Sequence, residues 1–188
     1  MPPAPGAATA KQDLRRRILE ARRALSPEAL ATARAGVQEH ILFRLDRATA
    51  GGRPWRNVFA YEAVGSEPAG QALLAAMADR GSSIYVPLLR PDHDLDWFKW
   101  PESTTLGRRA VQSASVLLVP ALAVDARGIR LGRGGGSYDR VLPRVPPDVP
   151  VIAVLHRGEL VESVPHDPWD QPVRAVVTPD GWYDVPTR

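Results

Sequence analysis

An alternation of short apolar runs with helical patterns constrains the fold of this 188-residue chain more than any other feature. The run Val116–Val119 is apolar without interruption, which is typical of a strand buried on both faces of a sheet. Near the start of the chain, apolar residues recur instead at spacings of four, three and four, at Leu14, Ile18, Ala21 and Leu25. Strands that alternate with helices predict an α/β fold.

The order of these patterns predicts one domain over residues 11–188. Two helices open it, and Ser26–Pro27 marks the start of the second one by a serine cap and a proline in the first turn. A third helix runs from Pro68 to Gly81, between strands predicted at Asn57–Tyr61, Ser83–Pro87, Leu95–Trp100, Val149–Leu155 and Arg174–Thr178. We predict a three-layer sandwich in which helices flank a central mixed, largely parallel sheet. Residues 1–10, rich in Pro, Ala and Gly, are predicted to form a disordered tail.

Composition excludes several kinds of chemistry. The chain has no cysteine, so it has no disulfide, no thiolate nucleophile and no thiolate metal site. No apolar run approaches the roughly 20 residues that span a bilayer, and the start does not resemble a signal peptide, so we expect a cytoplasmic protein without a membrane partner. The net charge is +3, and arginine supplies nearly all of the positive charge. An arginine-rich chain suits anionic small molecules or nucleic acid as ligands, or its arginine content reflects composition alone.

The segment Arg130–Arg140, with the sequence RLGRGGGSYDR, carries the clearest chemical signal. Four of the five residues 132–136 are glycine, so the backbone can adopt positive φ and approach a ligand closely. A glycine loop that leads into a helix presents N–H groups that suit a phosphate. Asp139 can hold magnesium, and three arginines can add charge-assisted hydrogen bonds: Arg130, Arg133 and Arg140. The pattern is neither a Walker A loop nor a dinucleotide fingerprint, and it favours phosphate binding over a plain surface loop.

Three further candidates are ambiguous by themselves. Lys11 and Arg15 lie four residues apart, so one helix face could present both to a polyanion, although a solvated basic face is the more common arrangement. Glu67, just before a predicted helix, fits an ordinary acid at a helix start. The run Pro165–Asp167, followed by Asp170, allows a metal site or an acid–base pair, but turn chemistry in a loop is favoured.

Taken together, these residues resemble the 5-formyltetrahydrofolate cyclo-ligase family. The loop Arg130–Arg140 is similar to the family signature Arg-Leu-Gly-x-Gly-x-Gly-x-Tyr-Asp-Arg. Lys11–Arg15 and Leu25–Glu28 are similar to the family's opening. Other segments follow in the expected order, namely Tyr61–Pro68, Val86–Pro87, Val119–Leu122, Pro165–Asp167 and Val176–Thr178. The resemblance extends from Lys11 to Gly181.

The resemblance implies an ATP-dependent conversion of 5-formyltetrahydrofolate to 5,10-methenyltetrahydrofolate with release of ADP and phosphate. In the family's reaction the formyl oxygen attacks the γ-phosphoryl group, and N10 then closes the ring as phosphate leaves. ATP is thus implied as co-substrate and Mg²⁺ as cofactor. The implied partners are a reduced folate and ATP, with no nucleic acid, and the implied oligomeric state is a monomer.

The same resemblance implies a role for each matching residue. The residues implied for ATP binding are Lys11, Arg15, Arg130, Leu131, Gly132, Arg133, Gly134, Gly135, Gly136, Ser137 and Tyr138. Those implied for the folate are Glu67, Arg133, Gly134, Gly135, Gly136 and Ser137. Catalytic roles are implied for Arg133 and Tyr138 and metal binding for Asp139. By its aromatic type and strand position, Trp97 is a candidate to pack on the pterin ring.

Two positions depart from the family pattern, and the stretch Pro101–Ser113 lacks the Glu-Pro pair that is often found there. Ser137 stands where an aromatic residue is common. Arg174 stands where many members have an aspartate that is associated with the metal, so either Asp167 or Asp170 replaces that acid, or Asp139 holds the metal alone. The departure at Arg174 keeps open a divergent nucleotide-binding paralogue with another substrate. A basic nucleic-acid-binding protein is a weaker alternative, because the arginines are spread among 21 acidic residues.

Overall fold

The computed structural model describes residues 7–102, 104–167 and 170–186. Its α-helices are α1 Ala7–Arg23, α2 Pro27–Ala50, α3 Gln71–Ala78 and α4 Ser137–Val141, with short 3₁₀ helices at Arg108–Ser113 and Leu142–Arg144. Its strands are β1 Asn57–Phe59, β2 Ser83–Leu89, β3 Leu95–Trp100, β4 Val116–Pro120, β5 Ala123–Asp125, β6 Arg130–Leu131, β7 Val151–Val154, β8 Leu160–Val161, β9 Ala175–Thr178 and β10 Gly181–Asp184.

A seven-stranded sheet in the order β10-β9-β7-β4-β1-β2-β3 forms the centre of the molecule. The five inner strands run parallel to one another, and the two edge strands β3 and β10 are antiparallel to their neighbours. A small second sheet, in the order β6-β5-β8, lies beside it. The predicted mixed, largely parallel sheet is therefore confirmed.

The central position of β4 in the sheet explains why its sequence is apolar throughout. Successive strand residues point to opposite faces, so Val116 and Leu118 pack with α2 and α3 while Leu117 and Val119 pack on the other side. The first face is completed by helical side chains, among them Val37, Ile41, Leu45, Leu73 and Met77. The second is covered by α4 and the two 3₁₀ helices, through Val111, Val141 and Leu142. Helices thus cover both faces, which confirms the predicted three-layer α/β sandwich.

The first helix differs from its prediction. It begins at Ala7, so residues 7–10 are helical and do not belong to a disordered tail, while residues 1–6 lie outside the described part of the chain. Alanine has the highest helix propensity, which explains the extension. Leu14 of α1 packs against Leu122 and Leu131, so this helix lies along the small sheet.

Two other differences have local causes. Helix α3 begins at Gln71, not at Pro68, because Gly70 is still extended at φ −129°. Strands β5, β6, β8 and β10 were not predicted, since each is short and none forms an apolar run of the kind that marks β4, β7 and β9. None of the described helices has both the length and the apolar character that a bilayer crossing needs.

Gly128, between β5 and β6, tests how closely the small sheet packs against the segment that precedes β9. Its φ is +79°, and a Cβ atom would lie 2.5 Å from the Val173 carbonyl oxygen. Gly158 has the same φ of +79° but has nothing within 4 Å of a Cβ. We expect Gly158→Ala to lower the free energy of unfolding by about 1–2 kcal/mol, the cost of left-handed backbone, and Gly128→Ala to lower it further. Urea denaturation measures both, and equal losses would contradict the close contact.

Candidate active site

A cavity of about 530 Å³ opens where the central parallel strands end. Pro120, Ala121 and Leu122, which follow the buried part of β4, line it, and Glu67 reaches it from the loop after β1. Ligands of α/β sheets bind in the crevice at the carboxyl ends of the strands. The cavity brings together most of the residues for which a binding, catalytic or metal role was predicted, although Arg140 and Trp97 do not line it: Lys11, Arg15, Glu67, Arg130, Leu131, Gly132, Arg133, Gly134, Gly135, Gly136, Ser137, Tyr138 and Asp139.

The glycine loop between β6 and α4 turns with free donors on its backbone. Gly134 has a φ of +105° and Gly136 a φ of +67°, conformations that residues with a Cβ rarely adopt. Within the described ranges, the amide N–H groups of residues 132–136 donate to no protein acceptor. Consecutive free N–H groups in a turn form a concave site for an anion.

Helix α1 points two cations at this loop. The Lys11 Nζ lies 2.7 Å from an Asp167 carboxylate oxygen and 3.0 Å from one of Asp170. The Arg15 Nε donates to the Gly132 carbonyl oxygen at 2.9 Å. Burial disfavours the Lys11 ammonium, but its hydrogen bonds to the two aspartates outweigh burial and raise its pKa. These two side chains therefore face the cavity and do not form a solvated surface.

Glu67 is a buried carboxylate that is held from two sides. Its Oε2 accepts the Val64 N–H at 2.9 Å, and its Oε1 accepts the Arg133 Nη2 at 3.2 Å. Glu67 is 6% exposed, whereas the Arg133 side chain is 53% exposed. Because helix α3 begins four residues later, at Gln71, this acid serves the cavity and does not lie in the first turn of the helix.

Two phenol groups near Glu67 lack a protein partner. The hydroxyls of Tyr138 and Tyr61 are buried and make no hydrogen bond to any described residue. Burial raises the pKa of both phenols, and the negative charge of Glu67 adds to this effect. Both groups stay protonated, so each is a donor; Tyr138 lines the cavity.

Three aspartates supply the remaining carboxylates of the cavity wall. Asp139 accepts a hydrogen bond from the Arg130 Nη2 at 2.6 Å, and Arg130 also donates to the Gln171 carbonyl oxygen. Asp167 and Asp170 both face Lys11. The described residues contain no ready-made cluster of three or more metal-binding side chains. Mg²⁺ at a nucleotide takes one or two carboxylates together with phosphate and water oxygens, so this donor set fits it.

Comparisons with known proteins agree with this geometry. The model of the 5-formyltetrahydrofolate cyclo-ligase family matches residues 7–179. This chain belongs to that family. A relative from Mycolicibacterium smegmatis named 5-formyltetrahydrofolate cyclo-ligase is 36% identical over 188 positions, which cover 90% of this chain and 93% of the relative. The prediction of a ligase family is thereby confirmed.

Solved structures support the same fold for this family member. A 5,10-methenyltetrahydrofolate synthetase from Mycoplasma pneumoniae matches with a TM-score of 0.78 at 20% identity, over 90% of this chain and 98% of that chain. The NMR structure of an Aquifex aeolicus 5,10-methenyltetrahydrofolate synthetase matches with a TM-score of 0.72 at 23% identity, over 95% and 94% of the two chains. At these identities the likeness concerns the fold.

The cyclo-ligase family member differs from two sequence expectations. Arg174 does not line the cavity. It precedes β9, and its backbone N–H donates to the Val151 carbonyl at the start of β7. Its side chain donates to the Pro147 carbonyl. It therefore lies at the amino ends of these strands, and the expectation that it replaces a metal-side acid is wrong. Trp97 has no exposed surface and packs edge-on against Phe59, so the prediction that it stacks on the pterin is also wrong.

Other side chains take the place that Trp97 was expected to fill. The apolar wall of the cavity comes from Pro87, Leu89 and Leu95 of strands β2 and β3. Position along the strand explains the exchange: Leu95 and Trp97 share a face of β3, but only Leu95, at the start of the strand, reaches the cavity. A planar apolar ligand group can pack on this wall.

Sequence reasoning missed a buried group of three charged or polar residues beside the cavity, Arg22, His156 and Glu159. Arg22 belongs to a run of basic residues in α1 that by sequence fits a solvated helix face, yet it is 3% exposed. Its position eleven residues after Lys11 places it on the same helix face, which is the signal that could have identified it. Nothing in the sequence marks Glu159 as its partner.

Proposed function

We propose that this protein closes 5-formyltetrahydrofolate to 5,10-methenyltetrahydrofolate at the expense of ATP, releasing ADP and phosphate. The observation that carries the proposal is a single cavity in which a glycine loop with free N–H groups faces a buried carboxylate, Glu67, and an apolar wall. The Mycolicibacterium smegmatis relative carries the name of this activity. A reduced folate and ATP are then the small-molecule partners, and we propose that the chain acts as a monomer with one domain.

The triphosphate is assigned to the basic side of the cavity. Lys11 and Arg15 extend from α1, and the residues Arg130–Tyr138 surround the same space. Backbone N–H groups neutralise phosphate oxygens without the entropy cost of long side chains, and cations strengthen each hydrogen bond. Arg133 has an exposed guanidinium that can follow the γ-phosphoryl group, so its proposed catalytic role is to stabilise charge on that group.

The folate is assigned to the opposite side. Glu67 accepts hydrogen bonds, so its carboxylate suits the N–H groups of a reduced pterin ring, while Pro87, Leu89 and Leu95 pack on the ring face. The backbone of residues 133–137 borders both substrates. Tyr138 keeps an unpaired buried hydroxyl beside Glu67 and can donate it to a substrate oxygen.

The proposed reaction needs positioning more than a protein nucleophile. The formyl oxygen attacks the γ-phosphorus and ADP leaves; N10 then attacks the activated formyl carbon and phosphate leaves with the former formyl oxygen. The attacking groups belong to the substrates, so the protein aligns them and neutralises charge. This requirement agrees with a chain that has no cysteine.

Magnesium is assigned to Asp139, together with Asp167 and Asp170 across the cavity. When bound, the ion neutralises the charge on the phosphate oxygens. Lys11 occupies the two distal aspartates in the structure described here, and Arg130 holds Asp139 in place. Their carboxylates face the same space as the glycine loop.

The competing functions lose support from the geometry. The hypothesis of a divergent paralogue depended on Arg174, which does not line the cavity. The hypothesis of a nucleic-acid-binding protein requires a free basic surface. Several arginines are instead paired with carboxylates, among them Arg22, Arg108, Arg127, Arg130, Arg144 and Arg157.

A turnover assay tests the proposed function. Purified protein is mixed with 5-formyltetrahydrofolate, ATP and Mg²⁺, and the near-ultraviolet absorbance of the methenyl product is followed. We expect ATP-dependent product from the unaltered protein. No product from folded protein at high concentration would contradict the proposal, and turnover of another substrate would revive the paralogue.

Asp139→Asn tests the metal assignment in the same assay. The amide is isosteric but uncharged, so we expect kcat/KM to fall by about 10²-fold or more and to recover partly at high Mg²⁺. Asp148→Asn, at an exposed position outside the cavity, is the matched control and should retain full activity. Equal activity of both variants would remove Asp139 from the metal site.

A further inference from the structure

Arg22 and Glu159 form a buried ion pair beside the cavity. The Arg22 Nε and Nη2 donate to the two carboxylate oxygens of Glu159 at 2.6 and 2.7 Å. The same Nη2 donates to the Ala121 carbonyl oxygen at 2.7 Å. Paired, parallel contacts of this kind fix both side chains in direction as well as in distance. The pair thus joins helix α1 to the segment that follows β4.

His156 extends the pair to the loop that carries Glu67. The backbone N–H of His156 donates to Glu159 at 2.7 Å, and its ring Nε2 lies 2.7 Å from the Ser66 carbonyl oxygen. A carbonyl only accepts, so the Nε2 carries the proton. Burial lowers the pKa of His156, while the charges of Glu159, Arg22 and Arg34 act on it in opposing directions, and the ring is neutral at pH 7.

Arg22 lines the cavity itself, and the group also holds two backbone carbonyls of the cavity wall or next to it. Glu159 and His156 do not line the cavity, but the two carbonyls that the group holds belong to Ala121, which does, and to Ser66, the neighbour of Glu67. The phosphate side has separate supports, namely the contacts of Lys11 and Arg15. Of the three residues, His156 alone bonds the loop that carries Glu67, so replacements at His156 test that side of the cavity.

We propose that Arg22, Glu159 and His156 are positioning residues that hold the Glu67 carboxylate in place for the reduced folate. The inference rests on the proposed function and extends it to His156 and Glu159, which do not line the cavity, and to Arg22, which lines it but has no role in the proposed chemistry. His156 holds Ser66 directly, and the Arg22–Glu159 pair holds His156. Arg34 of α2 holds the neighbouring Gly65 and Glu67 carbonyls, so the ring contact is one of two supports of the loop 64–67. Its loss shifts Ser66 and with it the Glu67 carboxylate, which weakens folate binding and leaves nucleotide binding intact.

Replacements at His156 separate this role from general stability. Glutamine can place an amide N–H near the Nε2 position, whereas asparagine is one methylene shorter and does not reach Ser66. We expect His156→Asn and His156→Ala to raise the KM for 5-formyltetrahydrofolate about tenfold and to change the KM for ATP less than about twofold. His156→Gln should restore the folate KM to near that of the unaltered protein.

Arg157→Gln is the matched control, because Arg157 is the next residue, its side chain is 77% exposed and its partner is Asp180 on the surface. It should change neither KM. If His156→Ala does not fold, the comparison of the asparagine and glutamine variants still decides. Calorimetric binding of ADP should be equal in all folded variants.

The outcomes distinguish the two proposals. Absence of turnover in the unaltered protein contradicts the proposed function, and the inference falls with it. Turnover in the unaltered protein with an unchanged folate KM in His156→Asn overturns the inference alone. Equal increases of both KM values overturn it as well, since they indicate a general structural role.

Discussion

Lys11→Met is expected to lower kcat/KM for ATP by about 10²- to 10³-fold, because it removes a cation that faces the phosphate side of the cavity. The ammonium lies 2.7 Å from Asp167 and 3.0 Å from Asp170. Its loss also leaves two carboxylates without their cation, and their charge would repel the triphosphate. The KM for 5-formyltetrahydrofolate should change much less, since Glu67 and the apolar wall have no contact with Lys11.

The chain offers an internal control for this prediction. Lys99 is the only other lysine, and it forms an exposed ion pair with Glu102 on β3 and the turn after it. Lys99→Met should retain the activity of the unaltered protein. Steady-state kinetics at varied ATP, with 5-formyltetrahydrofolate saturating, measure both variants. Equal kcat/KM values for ATP in the two would show that Lys11 does not contact the nucleotide.

Arg22→Ala is expected to lower the free energy of unfolding by about 3–5 kcal/mol, the usual cost of leaving one partner of a buried ion pair uncompensated. Arg22 is 3% and Glu159 5% exposed, so both charges are largely removed from water in the folded protein. The Ala121 carbonyl loses its donor as well. For a chain of this length the loss corresponds to a fall in Tm of roughly 6–20 °C.

Arg23→Ala is the control for Arg22→Ala, because Arg23 follows it on the same helix but is exposed. Its effect should stay within about 0.5 kcal/mol. The double variant Arg22→Met/Glu159→Leu removes both charges and should recover most of the stability that Arg22→Ala loses, since an apolar pair of similar volume is often neutral. Denaturant unfolding of Arg22→Met, Glu159→Leu and the double variant measures this coupling, and additive losses would contradict a paired charge.

Local patterns were sufficient for most of the fold. The apolar run at β4 predicted a strand buried on both faces, and the described sheet places it in the centre. Ser26 predicted the start of α2, and its side chain accepts the Ala29 N–H. Such features depend on residues within one turn or one strand, so the sequence contains them directly.

Glycine positions were also readable from the sequence, and their consequence is visible in the loop. Gly134 and Gly136 adopt the positive φ that the cluster of glycines predicted. The free N–H groups of this loop follow from that backbone. A phosphate-binding interpretation of this segment therefore needed no knowledge of the rest of the chain.

The tertiary structure decided what the ambiguous residues face. Lys11 and Arg15 fit a solvated surface by sequence, and only the fold turns them toward residues more than a hundred positions away, at Asp167 and Gly132. Arg174 and Trp97 show the converse. The sequence associated Arg174 with the metal site and Trp97 with the pterin ring, but neither side chain lines the cavity.

The sequence by itself thus determined the α/β class, the order of the main elements and the glycine loop. Only the tertiary structure decided which charged side chains share a cavity and which are buried in support of it. The Arg22–Glu159 pair spans 137 residues of sequence, and no local pattern encodes such a contact. The physical reason is that periodicity and turn chemistry act between near neighbours, whereas burial and ion pairing depend on how distant elements pack.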